Sequence, residues 1–298
     1  MLCAAGRPEA KSQRKPQGKA IYKQMASVDV SVKRLRFGQT SRRDAWWALP
    51  LVTLVVFSSF VAYTTWALLQ GDHYWSGNYL SPFYSPELFH PVGKFSPHAV
   101  FGEVPAWLAG LFPSFLAYSP AMLILIFPLA FRMTCYYYRG AYYKAFWADP
   151  PNCTVGEPRK TYLGENKLPL IVQNVHRYAL YFALVFIVLL AIDAWHGLWF
   201  DDGAGGKKFG VGLGSLILII NVTLIGGYTL GCHSLRHLVG GVFDLLSGKP
   251  IRKKAYDCVS CLNRHHPKWA WCSLVWVGWT DIYIRLCATG VITDWRII

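Results

Sequence analysis

Long apolar runs alternate along this chain with short polar, basic connections. Five runs are long enough to cross a bilayer core of about 30 Å, which takes roughly 20 apolar residues in a helix. They are Ala45–Leu69, Phe112–Phe131, Tyr178–Phe200, Phe209–Gly231 and Trp269–Ile292, the second continuing helically to about Arg139. None shows the ten-residue alternation of an outer-membrane barrel strand, and Met1–Asp44 contains no apolar stretch of signal-peptide type. The pattern predicts an all-α integral membrane protein, a bundle of five transmembrane helices. Its domain is residues 45–298, preceded by a basic segment at 1–44 whose first 24 residues are polar, aperiodic and read as a disordered tail. Residues 71–104, rich in Pro and aromatics, suit an ordered cap in the membrane interface.

Composition agrees: of 298 residues 53% are hydrophobic and only 15% charged, against about 25% charged in soluble domains. The formal net charge is nevertheless +14. Lys and Arg number eleven in 1–44, one in 70–111, seven in 132–177, two in 193–208, seven in 236–268 and one in the C-terminal tail, with Arg285 inside the last run. That is 25 on one side against four on the other. The positive-inside rule then puts the N-terminus in the cytoplasm and the C-terminus outside, as five spans require, in a multi-pass protein of the cell inner membrane. The basic excess is a topology signal and no evidence for nucleic-acid binding.

Five of the nine histidines fall at the cytoplasmic ends of spans: His176, His233, His237, His265 and His266. Cys135, Cys153 and Cys232 follow the same pattern. Far apart in sequence, these groups converge at one depth in an antiparallel bundle, where polar groups are costly and usually functional. Two imidazoles on different helices, His176 with His233 or His237, would hold a b-type haem. Two Cys with two His is also the ligand set of a Rieske [2Fe-2S] centre, and a structural zinc site fits the same count. Cys232 and His237 point about 140° apart on an ideal helix at ~100° per residue, so they share a centre only if it is wide or the helix frays. The residues alone do not decide which four would bind.

Asp281 and Arg285, four apart in the last span, pair on one helix face or line a proton route. Asn221 is placed to hydrogen-bond between helices. Arg139, Tyr142, Tyr143, Lys144, Arg177 and Arg236 make a basic aromatic surface suited to anionic lipid, an acidic partner or a quinone. Arg139, Tyr142 and Arg177 are the candidates for the quinone and docking side, since Arg and Tyr donate to a quinone oxygen as it gains charge. Cys258 and Cys261 form a single C-x-x-C, a weak metal signal without a second pair. Cys272 and Cys287 read as packing residues.

The strings TCYYYRGAYYKAFWADPPNC, QNVHRYALY, GCHSLRHLVGG and TDIYIRLCATGVITD, with YLSPFYSPELF outside, resemble the five-span membrane-anchor (cytochrome b-like) subunit of actinobacterial-type succinate dehydrogenase. The likeness runs from about Asp44 to Asp294. It implies partner iron–sulfur and flavoprotein subunits on the cytoplasmic side, a place in respiratory complex II, and electron transfer to quinone through a membrane-embedded Rieske-type [2Fe-2S] centre. The carry-over falls on Cys135, His176, Cys232, His233 and His237, five candidates for four ligands, with Cys153 in reserve. The alternatives are the same anchor with a bis-His haem b, or a non-redox transporter or scaffold with structural zinc.

Overall fold

A computed structural model describes residues 44–45, 47–113, 118–146, 171–203, 205–241, 243 and 245–298, apart from the side chains of 143, 144, 172 and 173. The basic segment at 1–43 and Cys153 lie outside the described residues.

The first apolar run becomes α1, Ala48–Gln70, which ends where Gly71 takes the left-handed conformation (φ 54°) that a side chain would disfavour. Leu51, Val52, Val55, Val61, Trp66 and Leu69 of α1 are all exposed. A helix apolar on every side, with its large residues unburied, presents a surface made for lipid. The second run does not form one rod. After a short α2 (Ala106–Ala109), its described residues form α3 (Ala121–Ile124) and α4 (Ile126–Met133), and α5 (Tyr136–Phe146) follows. Pro105 and Pro120 sit at the N-caps of α2 and α3, as expected of a residue without an N–H to donate.

The remaining helices are α6 (Ile171–His196), α7 (Leu213–Leu230), α8 (His233–Gly240), α9 (Pro250–Arg264) and α10 (His266–Ala288). Three described helices are long and apolar enough to cross a membrane: α1, α6 over Asn174–His196, and α7. α10 has the length, 23 residues, but carries Asp281 and Arg285. α10 packs along α7, α6 lies between α7 and α4, and α1 contacts α5 and α10. Gly227 lets α7 and α10 approach closely, because a Cβ there would fall 2.6 Å from the Trp269 ring. Asn221, expected to bond across helices, is fully buried, and neither of its side-chain polar atoms has a hydrogen-bond partner among the described residues.

At one end of the bundle the 72–105 segment folds into the expected cap, beginning with a hairpin of β1 (Trp75–Ser76) and β2 (Tyr79–Leu80). A second hairpin, β3 (Trp199–Asp201) with β4 (Lys207–Phe209), joins α6 to α7. Buried Glu87 and Asp281 and half-buried Asp193 latch the cap. Glu87 accepts from Tyr74 Oη (2.6 Å) and Ser96, and Asp193 accepts from Ser85. Asp281 accepts from Tyr63 Oη (2.5 Å) and Ser81, and Arg285 Nε reaches it at 2.7 Å. Arg285 also donates to the carbonyls of Asp72 (2.8 Å) and Ala67 (3.1 Å). The pair is thus saturated with partners, which is the arrangement of a structural keystone.

Candidate metal centre

The opposite end of the bundle gathers thiols and imidazoles where helices start. Cys135 directly precedes α5, and its carbonyl accepts from the Arg139 N–H at 3.0 Å. Cys232 fills the break between α7 and α8 as the N-cap of α8, in extended conformation, and its Sγ accepts from the Ser234 N–H at 3.4 Å. His266 is the first residue of α10, and His176 lies in the second turn of α6. Helix N-termini carry partial positive charge, which favours thiolate.

All four side chains are buried. His176 Nε2 lies 3.1 Å from Cys232 Sγ, and His266 Nε2 lies 3.7 Å from Cys135 Sγ. Both thiols belong to one core cluster with Phe131, Tyr138 and Tyr228. All four groups line one cavity of about 980 Å³. Thr134 Oγ1 donates its only proton to the Ala130 carbonyl (2.6 Å), so its 2.9 Å contact with His176 places a proton on Nδ1. The Nε2 lone pair of His176 therefore faces Cys232. Phe131 stacks on His176 at 4.6 Å, and Tyr228 stacks on His266 at 5.0 Å. His266 Nδ1 is buried with no hydrogen-bond partner among the described residues. Burial pushes the Cys232 thiol up to about 11, so coordination would have to release its proton.

Of the five ligand candidates from sequence, Cys135, His176 and Cys232 come together here. His233 and His237 are exposed and face each other across 3.1 Å between Nε2 atoms, at the rim of the same cavity. The break at Cys232 explains the divergence: Cys232 turns inward before α8 begins, and His233, its neighbour, points out from the first turn. His266 was missing from the candidate set although it stands at the same span end. The signal was its position beside Pro267, which fixes the start of the last helix at the depth of the other groups.

Among the described residues no three of these groups surround one point as a single-metal site would. Of the quinone and docking candidates, Arg177 lines the cavity, and Arg139 lies 4.9 Å over the ring of Tyr136, which also lines it. Tyr142 donates to the Met133 carbonyl at 2.9 Å and packs on Phe57. Cys258 and Cys261 are exposed on α9, away from the quartet's core. Cys272 is exposed and Cys287 half-buried.

Residues 48–290 match the family model described as actinobacterial succinate dehydrogenase subunit SdhC. The chain belongs to this family. It is a membrane anchor subunit of a succinate dehydrogenase complex. It is also similar to a chain of the Mycobacterium smegmatis Sdh1 complex in the apo form, with 39% identity and a TM-score of 0.72. That similarity covers 90% of this chain and 98% of the other. None of the curated proteins compared matches the sequence. Membership in the SdhC family gives the helical bundle its setting, with other subunits of the same complex as partners.

Proposed function

We propose that this SdhC-family anchor carries electrons from a docked iron–sulfur subunit to quinone, and that Cys135, His176, Cys232 and His266 hold a Rieske-type [2Fe-2S] cluster. The convergence of two thiols and two imidazoles from four separate helix starts carries the reading. The donor set fits such a cluster in number and kind, since it takes four protein ligands, two Cys and two His. The orphaned His266 Nδ1 and the inward Nε2 lone pair of His176 supply free nitrogen donors. When bound, the cluster supplies one-electron storage between the succinate-oxidising subunits and the quinone.

The chain's residues do the rest. Thr134 fixes the His176 ring and its tautomer. Phe131 and Tyr228 wall the imidazoles and keep water out, while the Ser234 N–H directs partial positive charge at the Cys232 sulfur. Oxidation of succinate to fumarate releases two electrons and two protons, and reduction of a quinone to quinol consumes the same number. The anchor therefore has to pass electrons and admit protons at the quinone. With five spans and a cytoplasmic N-terminus, the reading that the asymmetry of basic residues supports, the quartet would lie on the cytoplasmic side of the cell inner membrane, beneath partner flavoprotein and iron–sulfur subunits.

The test is low-temperature EPR of the purified, dithionite-reduced complex with iron and sulfide analysis. A Rieske-type signal that is lost in C135S, C232S, H176Q and H266Q and kept in H233Q and H237Q is the expected result. Retention in H266Q with loss in H233Q or H237Q would overturn the place of His266. A haem α-band, or stoichiometric zinc without iron, would overturn the cluster.

A further inference from the structure

Two histidines at the same end of the bundle take no part in the quartet. His233 and His237 lie four apart on α8, in its first and last turns, so both side chains leave one face of the helix. Both are exposed, and their Nε2 atoms stand 3.1 Å apart, with the ring planes at 81° and the centroids separated by 4.6 Å. On the far side of His237, a Cβ on Gly241 would fall 3.1 Å from Nδ1, so bare backbone leaves the ring its place.

With both rings neutral, one Nε2–H donates to the other Nε2, and that hydrogen bond is the resting state of the pair. The same two nitrogens also match the bite of a metal ion. At the roughly 2.0–2.1 Å of a zinc–imidazole bond, donors 3.1 Å apart subtend about 100° at the ion, between the octahedral and tetrahedral angles. An ion entering needs only the one Nε2 proton to move to Nδ1, so both imidazoles stay neutral and no charge is expelled. Two histidines four apart on one helix face are a recurrent zinc-binding unit.

The surroundings select the ion. Imidazole suits zinc, copper and nickel, whereas magnesium and calcium favour carboxylate. No described Asp or Glu lines the cavity at whose rim the pair stands. Arg236, the one cation on α8 besides the histidines, is turned away. Its Nε donates to Ser260 Oγ at 3.1 Å and its guanidinium lies 5.0 Å over the Tyr256 ring, both on α9. Among the described residues no third His, Cys, Asp or Glu joins the pair. Water therefore completes the coordination, and an ion with two protein ligands exchanges, unlike one closed in by four.

We propose that His233 and His237 form a second metal site, separate from the quartet, which binds a single exchangeable divalent ion of the zinc class at the cavity rim. Cys258 and Cys261, exposed on α9, are the other donors that could compete for such an ion.

The test uses the intact, purified complex, freed of loosely bound metal and dialysed against Zn2+ alone, with zinc and iron per anchor read by elemental analysis. The parent is compared with a C258S/C261S complex, and the histidine variants are made in that background so that the exposed dithiol is removed. About one zinc per anchor is expected to bind, to resist a large excess of Mg2+ or Ca2+, and to be lost in H233Q and in H237Q with iron unchanged. H265Q removes another exposed histidine and should keep the zinc. Cu2+ added in place of zinc should show EPR hyperfine structure from two imidazole nitrogens, reduced in either variant. Zinc uptake unchanged in H233Q and H237Q would overturn the site. So would uptake that disappears in C258S/C261S alone, or that Mg2+ competes away. Iron lost in H233Q or H237Q would return the pair to the cluster's ligands and overturn a separate site. A parent complex that lacks any iron–sulfur signal from the anchor yet binds this zinc would overturn the proposed function and leave the site standing.

Discussion

Removing the guanidinium of Arg285 tests whether the intramembrane ion pair is a structural keystone. In R285M, Asp281 keeps its hydrogen bonds from Tyr63 and Ser81 but loses its counter-charge 2.7 Å away. Both side chains are nearly inaccessible, 7% and 0% exposed, so water does not replace the loss. The Asp72 carbonyl just past α1 loses this donor as well, while the Ala67 carbonyl keeps the Tyr84 hydroxyl at 2.6 Å. Breaking a buried pair from one side costs about 3–5 kcal/mol, the Asp72 carbonyl's lost hydrogen bond included. At about 2–4 °C per kcal/mol for a domain of this size, the melting temperature should fall by roughly 6–20 °C. Y63F, which removes a single hydrogen bond to a charged group, should cost about 1.5–3 kcal/mol. The assay is loss of helical circular dichroism of the purified complex at one fixed scan rate, since unfolding of such assemblies is irreversible. D281N combined with R285M should be far from additive, because the two residues share one network. An R285M complex melting within about 2 °C of the parent would refute the keystone. The pair would then need another role, such as the proton route.

Two further outcomes follow from the same packing. T134V leaves the His176 ring without its 2.9 Å partner, so the proposed cluster should lose iron to a strong chelator about 10–100-fold more readily; unchanged chelation kinetics would show that the ring is held by stacking alone. G227A sets a Cβ 2.6 Å from the Trp269 ring and should destabilise the complex by about 1–3 kcal/mol, read from the same melting assay. No shift would mean that α7 and α10 separate freely.

Local chemistry in the sequence determined the mostly helical membrane character and the gathering of His and Cys at one end of the bundle. Apolar length and charge asymmetry depend only on neighbours along the chain, so they are legible without a fold. The family strings likewise pointed to Cys135, His176, Cys232, His233 and His237, of which only the first three meet in the core. What the sequence left open is set by long-range packing. Cys135 meets His266 across 131 residues, and His176 meets Cys232 across 56. Those meetings depend on how each helix is rotated and where it starts. Ideal-helix geometry treated Cys232 to His237 as one rod; the break before α8 puts Cys232 inside and its two histidine neighbours outside. The same holds for the second apolar run, continuous in hydropathy yet broken into short helices. Arg132 shows the limit most plainly. In sequence it is one basic residue at the end of an apolar run, and only its long-range contacts with Tyr228 of α7 and Ser273 of α10 set it beside the core that holds the thiol–imidazole quartet, because tertiary contacts alone fix which neighbours a charge receives.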